Sequence, residues 1–109
     1  MTTSQARPAT EPARAEIDAL KLPLVIEFGA SWCAHCRAAQ PLIALALAAC
    51  PQVLHIKVED GPGRRLGRSF SVKLWPTLIF MRDGVEVERL VRPVDAEAIC
   101  GALEKIAAE

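Results

Sequence analysis

The chain has 109 residues, 51% of them hydrophobic, and its 13 Lys and Arg balance 13 Asp and Glu. That length suits one domain with a single real core. Zero net charge excludes a strongly basic nucleic-acid footprint or an acidic tail as an account of the whole chain, and no apolar run reaches the roughly 18 residues of a membrane span.

Residues 1–12 lack any apolar period and read as a disordered tail, leaving 13–109 as the folded domain. The first 20 residues hold no continuous apolar stretch of the kind a secretory leader needs, which points to a cytoplasmic protein. Over 13–21, Ile17 and Leu20 fall three apart with charges between them, a short amphipathic helix that Pro23 ends. Residues 24–28, Leu-Val-Ile-Glu-Phe, form an apolar run of strand length, buried on both faces and therefore central and parallel. Glu27 interrupts it, and a carboxylate there needs a reason. Residues 33–50 are rich in Ala and Leu and predict a long helix, kinked at Pro41, with Leu42, Leu45 and Leu47 available as its core-facing stripe.

A second strand is predicted over 53–58, a break at Gly61-Pro62-Gly63, and a short helix with an arginine face over 64–70. Another apolar strand spans 77–81, and Asp83-Gly84 signals a hairpin into a strand over 85–91. Asp95 is placed to cap a closing amphipathic helix over 96–108. The order α-β-α-β-α-β-β-α describes an α/β domain with a four-stranded mixed sheet flanked by helices. Its first two strands run parallel through a crossover helix, and its last two form an antiparallel hairpin.

The chemistry concentrates in Trp32-Cys33-Ala34-His35-Cys36. A secreted miniprotein would use four cysteines as a disulfide framework, but a chain of this size folds without staples, so the close pair points to redox or metal chemistry. A thiol where a helix begins meets orphan backbone N–H groups and the positive end of the helix dipole. Its pKa should fall and its reactive thiolate should be enriched. Two intervening residues put the second sulfur one turn away, so a disulfide can close and open with little backbone movement. Cys33 would attack, and Cys36 would resolve the mixed disulfide.

These residues resemble the thioredoxin family from about Leu24 to the C-terminus. The likeness rests on Glu27-Phe28, Ala30-Ser31-Trp32-Cys33-x-x-Cys36, Pro41, Lys57, Trp75-Pro76-Thr77 and Asp83-Gly84. It implies the thioredoxin fold, with the family's first strand lacking a clear counterpart before Ala13. It implies thiol–disulfide exchange with protein disulfides, electrons from a dithiol donor such as a reductase, no cofactor or metal, and a monomer free of nucleic acid and membrane. It implies a cis peptide before Pro76 and a substrate surface of Trp32, Trp75, Pro76 and Thr77. The family usually buries an Asp where Glu27 stands, taken to exchange a proton with the resolving thiol. Burial should raise the pKa of Glu27, whereas Lys57, matching a family lysine, would pair with it and lower it.

The departures are Trp75 in place of a small aliphatic residue, Gly29 where many relatives carry Trp, and Ala34-His35 between the cysteines. Reducing members usually carry Gly-Pro there. A His near the thiolate would stabilise it and make the disulfide more oxidising, against the reducing role that a cytoplasmic site implies; the reading adopted is reductase-like.

Cys50 and Cys100 read as small buried hydrophobes, and His55 as a satisfied or edge histidine of a strand. Arg64, Arg65 and Arg68 make a solvated face or a docking patch for an acidic partner. Two rival functions stand beside the enzyme: a redox-sensing interaction module, and metal binding through the Cys33/Cys36 thiolates, which supply only half of a four-ligand zinc site.

Overall fold

A computed structural model describes residues 11–107. The predicted tail lies outside the described residues apart from Glu11 and Pro12. Its elements are α1 (Arg14–Asp18), β1 (Leu24–Gly29), α2 (Ala34–Ala48), β2 (Leu54–Glu59), α3 (Arg65–Ser69), β3 (Thr77–Arg82), β4 (Val85–Val91) and α4 (Ala96–Ala107), in the predicted order. The sheet runs β2-β1-β3-β4. As expected, β1 and β2 are parallel and β3 and β4 antiparallel; β1 also pairs antiparallel with β3, so it is central.

Side chains alternate across a strand, so each central strand feeds two cores. Leu24, Ile26 and Phe28 of β1 join Ile79 and Met81 of β3 on one face, against Ile17 of α1 and Leu66 of α3. Val25, Leu78 and Phe80 look the other way, against α2 and α4. Each large side chain so buried contributes roughly 1.5–3 kcal/mol. Glu27, two residues on from Val25, therefore points under α2 rather than into solvent.

The buried face of α2 is Cys36, Ala39, Ile43 and Ala46, and this corrects the predicted leucine stripe. Leu42 and Leu47 only flank the core, and Leu45 is 65% exposed. Helical spacing carries 36, 39, 43 and 46 along one line, and Leu45 lies off it. Small Ala39 and Ala46 let the helix approach the sheet closely. Asp95 caps α4 as expected, its Oδ1 accepting from Ala98 N–H at 2.8 Å. Glu11 caps α3 from a distance in sequence, its carboxylate accepting from Arg65 N–H at 2.8 Å. Gly84 turns the hairpin with φ +79°, a left-handed geometry suited to glycine.

Candidate active site

The central strand ends at Gly29, and a tight turn through Ala30, closed by Cys33 N–H on its carbonyl at 3.1 Å, delivers Cys33 to the start of α2. Cys33 is the N-cap of that helix: its Sγ accepts from Cys36 N–H at 3.3 Å. Cys36 sits in the first turn, buried; both cysteines are unbridged. Burial opposes ionisation of Cys33. Hydrogen bonds from the Cys36 thiol and from the backbone N–H groups of Cys36 and His35, with the positive charge of Arg92, outweigh it and hold the thiol below its ordinary value. His35 thus acts on Cys33 through its amide. Its imidazole lies exposed at the rim of the groove over Cys33.

That groove, of about 550 Å³, is walled by Trp32, Leu74, Trp75 and Arg92. Trp32 is 69% exposed and meets Trp75 edge to face, ring centroids 5.5 Å apart. Trp75 is fixed at both ends: its indole Nε1 donates to Asp60 at 2.8 Å, and its carbonyl accepts from Arg92 Nε at 2.8 Å. The Trp75–Pro76 peptide is cis, as the resemblance implied. Pro76 and Thr77 lie buried below the rim, and the Thr77 hydroxyl donates to the Leu74 carbonyl at 2.6 Å, tying the loop that presents Trp75.

Beneath α2 lies a polar cluster in which Glu27 and His55 are buried and Gln40 and Lys57 are half-buried at the edge. Glu27 is 0% exposed; its Oε1 is 2.8 Å from His55 Nε2, and its Oε2 accepts from Gln40 Nε2 at 2.7 Å. Gln40 Nε2 also reaches the Cys36 carbonyl at 3.2 Å, connecting Glu27 to the helix turn that carries the second thiol. Burial raises the pKa of Glu27, but the bonds from His55 and Gln40 and the charges of His55 and Lys57 win, and it lies below 4.5. The expected direct pairing with Lys57 is corrected: Lys57 Nζ donates to Gln40 Oε1 at 3.1 Å and lowers the Glu27 pKa by its charge alone, while the side chains bonded to Glu27 are His55 and Gln40. Register explains it. Lys57 stands directly opposite Glu27 in the sheet, but its longer chain extends past to Gln40, whereas His55, opposite Val25, leans across.

The sequence reading missed His55, Gln40, Asp60 and Arg92 as site residues. His55 is two residues from Lys57 and so shares its face, and Gln40 is one helical turn beyond Cys36; both were within reach of periodicity. Arg92 had no local sign. It reaches the site from the end of β4 with φ 51°, its N–H on the Pro76 carbonyl at 2.9 Å. Cys50 lies in the core and Cys100 at its margin, both remote from this cluster in the fold's layering. Among the described residues no three His, Cys, Asp or Glu side chains converge as metal ligands would, and no helix is long and apolar enough to cross a membrane.

A family model described as Thioredoxin matches residues 9–105. Thioredoxin 2 from Pseudomonas aeruginosa PAO1, solved in its reduced form, superposes with a TM-score of 0.84 at 55% identity, covering 95% of this chain and 97% of that one. The Thioredoxin of Chlamydia trachomatis serovar D is 34% identical over 82 residues, 75% of this chain and 80% of that protein. Thioredoxin H-type 1 of Nicotiana tabacum is 37% identical over 68 residues, 62% of this chain, and the match spans about half of the tobacco protein, 54%.

Proposed function

This chain belongs to the thioredoxin family of thiol–disulfide oxidoreductases, and from that premise we propose that it reduces disulfides of protein substrates through Cys33 and Cys36. The observation carrying the assignment is the acidified Cys33 sulfur at the cap of α2, one turn from the buried thiol of Cys36.

The Cys33 thiolate attacks one sulfur of the substrate disulfide. A mixed disulfide forms, and the other substrate sulfur leaves as a thiolate that takes a proton. Cys36 then loses its proton, with Glu27 the acceptor, and its thiolate attacks Cys33 Sγ. The second substrate sulfur leaves, and two electrons have passed from the cysteine pair to the substrate. A dithiol donor protein restores the pair by the same exchange in reverse. Trp32 and Trp75 supply the apolar contact surface, and Pro76 and Thr77 hold the loop behind it. His35 and Lys57 modulate: the first by its amide on Cys33, the second by holding Gln40 against Glu27. No cofactor or metal enters this scheme.

The proposed setting is a monomer in the cytoplasm contributing to redox homeostasis; the reducing direction follows from that setting. Insulin reduction driven by dithiothreitol, followed by turbidity, tests the catalytic reading. The parent should accelerate precipitation, C33S should fall to background, and C36S should accumulate mixed disulfides with substrate. A parent no faster than dithiothreitol alone would overturn catalysis and leave the redox-sensing module.

A further inference from the structure

The three arginines clustered in sequence part company in the fold. Arg65 turns to one side, lining a depression with Glu11 and Ser69. Arg64 and Arg68 turn to the other, lining a groove of about 540 Å³ with Asp60, Lys73 and Trp75. Lys73 and Trp75 also wall the groove over Cys33, so the two grooves meet there. The carboxylate of Asp60 is engaged at the base: it accepts from Trp75 Nε1, and it fills the space where a side chain at Gly67 would stand. Arg68 and Lys73 therefore line the groove beside an acid that is held inward, and Arg92 adds positive charge on the Cys33 side. A chain of net charge +0 concentrates cations beside its reactive sulfur.

We propose that this second groove receives an acidic segment of the substrate protein, adjoining the cysteine that Cys33 attacks, so that disulfides flanked by Asp and Glu are selected. The inference rests on the disulfide-exchange reading above and names its substrate class. An extended segment advances about 3.3 Å per residue, so acids a few positions from the cysteine reach the adjoining groove. Positively flanked disulfides meet like charge and are disfavoured. Exposed ion pairs each shift rates only a few-fold and fade as salt screens them, so the preference is modest and salt-sensitive.

The test mixes the fully reduced full-length protein with synthetic peptides, each closed by one disulfide and flanked by Glu, Gln or Lys. The second-order rate constant should be about five- to tenfold higher for Glu than for Lys at low salt, with Gln between them. The gap should close in about 0.5 M NaCl, where the Debye length falls to a few ångströms. R68E should abolish or invert the preference while reducing the Gln peptide at the parent rate. K73E, outside α3, should weaken the preference without relying on that helix. Equal rates for all three peptides, or a preference untouched by salt and by both variants, would overturn the proposal while leaving disulfide exchange standing. Failure to reduce any of the peptides would bring down the exchange reading, and the proposal with it.

Discussion

Glu27 occupies the middle of the central strand with its carboxylate sealed from solvent, a placement that costs several kcal/mol unless the charge is hydrogen-bonded and paired. His55 and Gln40 supply those partners, and the outcome is a carboxylate held below 4.5 instead of one lifted toward neutrality. Glu27 is thus ionised whenever Cys36 must give up its proton, but it is a weak base. Replacing it by Gln should slow resolution of the mixed disulfide roughly 100-fold, the low end of general-base effects. Stopped-flow decay of that intermediate reads the change, and in the parent it should show no Glu27 inflection between pH 6 and 9. Removing the partner gives a second outcome: H55L strips a buried charge of one hydrogen bond, and the urea midpoint should report a loss of about 1–3 kcal/mol. H55Q, which keeps an N–H donor, should recover part of it.

At the scale of elements, helix α2 separates what side-chain size suggests from what phase dictates. Leucines drew attention to 42, 45 and 47, yet the sheet-facing line runs through Cys36, Ala39, Ile43 and Ala46, because the phase of the helix and not the bulk of a side chain decides which positions meet the sheet. I43A should cost about 2–4 kcal/mol as a buried deletion, and L45A under about 0.5 kcal/mol, both by denaturant unfolding. The hairpin makes a similar point about backbone. Gly84 has φ +79°, and a Cβ there would strike the Asp18 carbonyl, so G84A joins strain to collision. Its melting temperature should fall well beyond the few degrees expected of an ordinary surface substitution.

For the molecule as a whole, strands and helices were legible because periods of 2 and 3.6 are written locally, and the crossover and Asp83-Gly84 fixed their directions. The thiols, their order of action and the turn that carries them were legible for the same reason. What escaped was convergence from afar: Arg92 at the end of the last strand, Asp60 after β2, and the exchange of Lys57 for His55 beside Glu27 depend on how layers close. Global stability carries the mark of that buried charge. A carboxyl whose folded pKa is depressed stabilises fully above its ordinary unfolded value, about 4.3 for Glu, and that share is lost as pH falls through the lower folded value. Acid unfolding of the parent should therefore steepen below about pH 4.5, and E27Q should lack that component when circular dichroism follows both.

The chain has two tryptophans and no tyrosine, and both indoles stand edge to face at the mouth of the Cys33 groove. Its near-ultraviolet emission therefore comes from that one corner. Fluorescence will register arrivals and departures there, and a melt followed by it coincides with one followed by circular dichroism only if the rim and the sheet let go together.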